Sequence, residues 1–186
     1  LPDPSAHEEQ LRQALSLSQS RWKLCLWHKN QHDLQVGTKP DEVGWTSYRL
    51  CQAAGALIVN GHEHSYARTR TLSALGDRAA HHGALGDDEH VYLSPGTTAV
   101  IVNGMGGKSL RALSGAPPGQ PWWASWYTSD SWKQPEQRPA RQQVSADSAV
   151  LLLTFEGKDS RVAKGELLNA DSAALDHFEL VAAPPP

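Results

Sequence analysis

Apolar and polar residues change period along the chain, and each change marks an element. Leu11, Ala14 and Leu15 recur at helical spacing behind Ser5 and Glu8, so a helix is expected over about residues 6–19. In Arg21–Asn30 the period falls to two. Trp22, Leu24 and Leu26 alternate with Lys23, Cys25 and Trp27, which predicts a strand covered on both faces that runs into His28. Asn30, Asp33, Gly37 and Pro40 make 29–40 a loop. Asp41 then caps a predicted helix carrying Val43, Tyr48, Leu50, Cys51 and Ala54, and Gly55 stops it. Ala56–Asn60 is a second short apolar strand, ending at Gly61 and His62.

Strand, loop, helix and strand in this order form a βαβ unit with parallel strands. The C-terminal ends of parallel strands lie at one edge of a sheet. His28 leaves the first strand there, and His62 and His64 leave the second. Further on, 73–90 reads as an exposed polar loop that holds His81, His82 and His90. His90–Gly107 holds two short strands around Ser94-Pro95-Gly96. Residues 114–143, rich in proline and tryptophan, read as an irregular excursion pinned by aromatic packing. Segments 149–156, 161–169 and 174–181 form an expected antiparallel meander, with turns at Gly157-Lys158 and Asn169-Ala170. The fold class is therefore α/β (α+β), one βαβ unit followed by a mostly antiparallel sheet, with Pro184–Pro186 a disordered tail.

Composition narrows the options. The chain has 186 residues, 39% of them apolar, enough for one domain with a core. Its net charge is −3 and its 17 Lys and Arg are spread without a basic stripe, so no nucleic acid is expected as partner. No apolar run reaches the ~20 residues that cross a bilayer, so no membrane partner is expected either. Cys25 and Cys51 form no CxxC, and both fall in segments that read as buried; two reduced core thiols are expected. The glycines of Asn103–Ser109 do not make a nucleotide loop, because Val102 stands where the first glycine of that motif belongs. A backbone turn near the histidines is expected instead.

Three imidazoles at adjacent strand ends suit a transition-metal ion. On extended chain His62 and His64 point the same way and Glu63 turns away, while Gly61 lets the backbone approach a ligand. An isolated H-x-H is common and carries little alone. His28 adds weight, but three imidazoles are short of a full shell, so carboxylates are expected too.

Gly61-His62-Glu63-His64-Ser65-Tyr66-Ala67-Arg68-Thr69-Arg70 resembles the signature of calcineurin-like metallophosphoesterases, nearest to their purple acid phosphatase branch. Lys23–Gln31 is similar to the family's preceding block, a strand ending in a ligand histidine. Ala99–Gly107 resembles its later Gly-rich strand end, and Ala174–Val181 its closing strands. The likeness implies an αββα sandwich with two divalent or Fe/Zn/Mn-type ions at the strand ends. By position, His28 and His62 would hold one ion and His64 the other. A metal-bound hydroxide would attack a phosphate ester. Asn30, Tyr66 and Arg68 would then stand near substrate, although an arginine there serves equally well in a surface salt bridge. The four tryptophans of 122–132 either line a groove or pack the loop.

Family blocks that precede the histidine pair, D-x-H, G-D-x-x-D and G-N-H, are not found. Asp3 and His7 have the wrong spacing, and Gly86–His90 comes in the wrong order. The chain also starts at Leu1. It is therefore expected to be the C-terminal half of one metallophosphoesterase domain over 1–183. Such a half needs its N-terminal partner and has little activity alone. The competing expectation is a non-catalytic chain, at most a weak metal-binding or interaction module.

Overall fold

The computed structural model describes residues 4–76, 80–114, 120–133, 148–156 and 160–182. Among these residues two α-helices and three sheets make an α+β fold. Helix α1 is Pro4–Leu17 and α2 is Thr46–Ala53. The strands are β1 Leu24–Leu26, β2 Leu57–Asn60, β3 Tyr66–Thr69, β4 Thr71–Leu72, β5 Ala84–Leu85 and β6 His90–Leu93. They continue with β7 Ala99–Asn103, β8 Trp123–Tyr127, β9 Trp132–Lys133, β10 Ala149–Phe155, β11 Val162–Asn169 and β12 Ala174–Ala182. The main sheet runs β1-β2-β7-β3-β8-β9, parallel from β1 to β7 and antiparallel beyond. A second sheet runs β10-β11-β12-β6, antiparallel except at β12 and β6. The βαβ unit and the meander both appear. The turn expected at Gly157-Lys158 and the tail at 184–186 lie outside the described residues. No helix among the described residues is long and apolar enough to cross a membrane.

Alternation along the main-sheet strands builds two cores. Cys25, Ile58, Ala67, Val100 and Val102 face the helical side, where Tyr48 and Cys51 of α2 meet them, with Leu11 and Leu15 of α1 packed against the cluster. Leu57, Tyr66, Ala99 and Ile101 face the second sheet and meet Val91, Leu167, Phe178 and Leu180. The layers are helix, sheet, sheet. One tie between the sheets is polar. Arg68 and Asp176, both 0% exposed, pair with Arg68 Nε 2.7 Å and Nη2 3.1 Å from the carboxylate. Tyr66 donates its hydroxyl to the same carboxylate at 2.7 Å. Burial pushes the Tyr66 hydroxyl well above its ordinary pKa, so it stays a donor.

Several local expectations are corrected. Helix α1 begins at Pro4, so Ser5 sits in its first turn. Asp41 accepts from the Val43 and Gly44 N–H groups and shapes the turn before α2. Strand β1 is covered on one face only: Cys25 is buried, while Leu24 and Leu26 are 38% and 68% exposed. Cys25 and Cys51 are both buried and are joined in a disulfide, not reduced. The βαβ unit lays α2 across β1 and brings the two Cα atoms to 6.7 Å, within bridging range. The tryptophan-rich excursion contains β8, whose five residues are all buried between β3 and β9. His82 is not solvated. Its ring packs against Trp45 and Trp122, with centroids at 5.5 and 4.7 Å.

Candidate metal centre

His28 and His62 emerge side by side because β1 and β2 are parallel and in register, Leu26 opposite Val59. The ladder continues past the strands: Trp27 N–H donates to Val59 at 3.3 Å, and Gly61 N–H to His28 at 3.1 Å. Below the rings, Tyr48 donates its hydroxyl to Asn60 Oδ1 at 2.9 Å and accepts the Gln31 N–H at 2.9 Å. Burial pushes that hydroxyl well above its ordinary pKa, so it stays a donor. The two imidazoles meet with His62 Nδ1 3.0 Å from His28 Nε2. Asn30 is buried and accepts the His62 N–H on its Oδ1 at 3.1 Å. It therefore orients the backbone of His62.

His62 Nε2 lies 3.2 Å from Glu42 Oε2, and Glu42 also pairs with Lys29. The Lys29 hydrogen bond holds the Glu42 carboxyl below its usual range. Burial, then Lys39, holds His62 below the ordinary histidine value; burial, then Arg111, does the same to His64. Both shifts favour the neutral imidazole, the form that binds a metal ion.

The H-x-H turn is locked from beneath. Glu63 is 0% exposed, and its Oε1 accepts the His64 N–H at 3.1 Å. A Cβ at Gly37 would stand 2.1 Å from Glu63 Cδ, and one at Gly104 1.8 Å from the Glu63 carbonyl oxygen. Only glycine permits either approach. Gly104 N–H also donates to the Ser65 carbonyl at 2.9 Å. The glycine cluster is thus a turn packed on the H-x-H turn.

Among the residues expected at the site, His28, Asn30 and His62 come together. His64 occupies the same turn as His62, but among the described residues no hydrogen bond or ring contact joins its imidazole to the other two. Tyr66 and Arg68, expected beside substrate, point into the core at Asp176, and both are 0% exposed. Glu42 and Arg111 were not foreseen, and Glu63 was expected only to turn away from the pair. Glu42 and Arg111 lie on loops far from the histidines in sequence, and no local pattern marks them.

Two nitrogens bound at about 2.1 Å to one ion, with bond angles near 90 to 110°, stand roughly 3.0 to 3.4 Å apart. The His28–His62 separation of 3.0 Å fits that span. The buried Nδ2 of Asn30 has no hydrogen-bond partner among the described residues. No three His, Cys, Asp or Glu side chains among the described residues converge into a set that could hold an ion. The residues fit part of a coordination shell.

By sequence, no family model and no curated protein matches the chain. By structure, it is similar to the purple acid phosphatase PPD1 from yellow lupin (Lupinus luteus) seeds, with a TM-score of 0.61 and 16% identity over 96% of this chain. The fold is of the kind seen in that phosphatase. The chain spans 30% of the phosphatase's length.

Proposed function

We propose that the chain provides one side of the dinuclear metal site of a phosphoric ester hydrolase. His28 and His62 hold one ion and His64 a second. The observation that carries this reading is the pair of imidazole nitrogens 3.0 Å apart at the ends of two parallel strands. When bound, such ions lower the pKa of a water and stabilise charge developing at phosphorus. The chain's own share is to present neutral rings, with Asn30 holding the His62 backbone and Glu63 the turn between His62 and His64.

The remaining ligands are carboxylates carried by strands that pair along β1. Among the described residues β1 pairs only with β2. Lys23 and Trp27 turn their backbone groups toward β2. By the strand period Leu24 and Leu26 turn theirs outward, as an edge open to another strand. Without such strands the chain hydrolyses phosphate esters weakly or not at all.

The test is calorimetric titration of the chain with Zn²⁺ and with Mn²⁺. Wild type should bind, and His28→Ala and His62→Ala should each weaken binding of the first ion at least tenfold. Equal affinity in wild type and both variants would overturn the reading. A second reading, a non-catalytic chain that binds one ion weakly, draws on the single pair of converging imidazoles. One binding event abolished by His28→Ala and untouched by His64→Ala would favour it.

A further inference from the structure

The ring of His62 has a neighbour on each nitrogen. Nδ1 lies 3.0 Å from His28 Nε2, and Nε2 lies 3.2 Å from Glu42 Oε2. A neutral imidazole carries one N–H and one lone pair, so the two neighbours cannot be met in the same way. His28 Nε2 can donate or accept, according to its tautomer. The Glu42 carboxylate can only accept. The proton of His62 therefore belongs on Nε2, and the lone pair on Nδ1 faces His28.

Glu42 is held for this contact. It stands on the turn before α2, where Asp41 Oδ1 accepts the Val43 N–H at 3.0 Å and the Gly44 N–H at 2.8 Å. Lys29 binds the other carboxylate oxygen, Oε1, which leaves Oε2 to the ring. The His62 and Glu42 side chains are 21% and 29% exposed, so the contact lies at the rim of the fold, outside its cores. His62 is thus fixed twice, its backbone N–H by Asn30 and its ring by Glu42. An imidazole that meets a metal through one nitrogen commonly gives the proton of the other to a carboxylate or carbonyl, which sets its tautomer and orientation.

We infer that Glu42 is a positioning residue for the His28–His62 pair. Its carboxylate takes the Nε2 proton of His62 and keeps the Nδ1 lone pair facing His28. The inference rests on the hydrolase reading above for the ion, and it adds which nitrogen of each ring would meet it. In the metal-free chain His28 Nε2–H donates to His62 Nδ1. On metal binding that proton moves to His28 Nδ1, so one ring changes tautomer, the other does not, and each keeps one proton.

Long-range ¹⁵N–¹H correlation spectra of the ring nitrogens, without metal and with Zn²⁺, test it. Metal-free wild type should show His62 as the Nε2–H tautomer alone. Glu42→Ala lets the proton between the rings sit on either one and should give a mixture. Glu42→Gln retains a carbonyl oxygen for the ring and should keep the single tautomer, which a role through charge alone would not do. With Zn²⁺ the His28 signal should change to the Nδ1–H tautomer while His62 stays as it was. By calorimetry Glu42→Ala should weaken Zn²⁺ binding roughly tenfold or more, and Glu42→Gln should recover most of that loss. If wild type binds no Zn²⁺ while the His62 tautomer still depends on Glu42, the positioning role stands and the hydrolase reading falls. An Nδ1–H tautomer of His62 in wild type, the same tautomer state in wild type and Glu42→Ala, or Zn²⁺ on His62 Nε2 overturns the inference, whatever the chain does to phosphate esters.

Discussion

Replacing Asp176 by alanine strands a charge inside the sandwich. The carboxylate accepts from Arg68 Nε at 2.7 Å, Arg68 Nη2 at 3.1 Å and the Tyr66 hydroxyl at 2.7 Å, all fully buried. After the substitution Arg68 keeps, among the described residues, the Asp88 carbonyl at 2.8 Å and the face of Phe178 at 4.3 Å, neither of which neutralises it. Removing one partner of a buried pair costs roughly 3–5 kcal/mol. The orphaned Tyr66 hydroxyl adds about 1–3 kcal/mol, not fully additive because it shares the network. A loss of about 4 kcal/mol is expected, a large share of the ~5–15 kcal/mol that a domain holds. Urea unfolding at an m-value near 2 kcal/mol/M would register it as a midpoint about 2 M lower. Arg68→Met/Asp176→Leu removes both charges and should recover most of the loss. A single variant within about 1 kcal/mol of wild type, or a double variant less stable than the single one, would refute the reasoning. Arg68 follows the H-x-H turn on β3, so faster amide exchange at residues 62–65 should accompany the loss.

Two further outcomes follow from the corrected residues. The Cys25–Cys51 disulfide spans a sequence separation of 26, and loop-closure entropy for a loop of that size is about 3.5 kcal/mol. Reduction, or Cys51→Ser, should lower the urea midpoint accordingly; an unchanged midpoint would mean the link contributes nothing. Burial holds His82 below its ordinary pKa near 6.5, and the same sign holds at His62 and His64. The folded state favours the neutral rings, so their contribution is present above about pH 6.5 and is lost as acidification charges the unfolded chain first. Glu42, Asp87 and Asp130 lie below their ordinary values and lose their contribution in a lower window. The urea midpoint should therefore fall from pH 7 to 5.5, and less so in His82→Asn, which tolerates the φ of +47° there. A midpoint that is flat or rises on acidification would contradict this.

What was legible in the chain was local. The βαβ unit announces itself through apolar runs closed by Gly55 and Gly61, and parallel strands alone bring His28 and His62 to one rim. The meander is legible for the same reason, each strand being a run with its own turn. Strand β3 was not read, because Arg68 occupies an inward position where the period of two expects an apolar residue. Arg68 is tolerable there only because Asp176, on the last strand, is brought to 2.7 Å. The disulfide, the Glu42 contact to His62 and the Arg111 contact to the H-x-H turn are likewise distances between elements, and no spacing within one element encodes them. This division bears on how the site works. The rings that would meet an ion are set by strand ends and so by the most local feature of the fold. The charges around them stand on loops whose positions depend on long-range packing. Loosening the sandwich, as at Asp176, should therefore disturb the loops that carry Lys39 and Arg111 before it disturbs the His28–His62 pair. Amide exchange at Arg111, whose N–H donates to the His64 carbonyl, would quicken in that variant at urea concentrations where exchange at Trp27 and Gly61 is still slow.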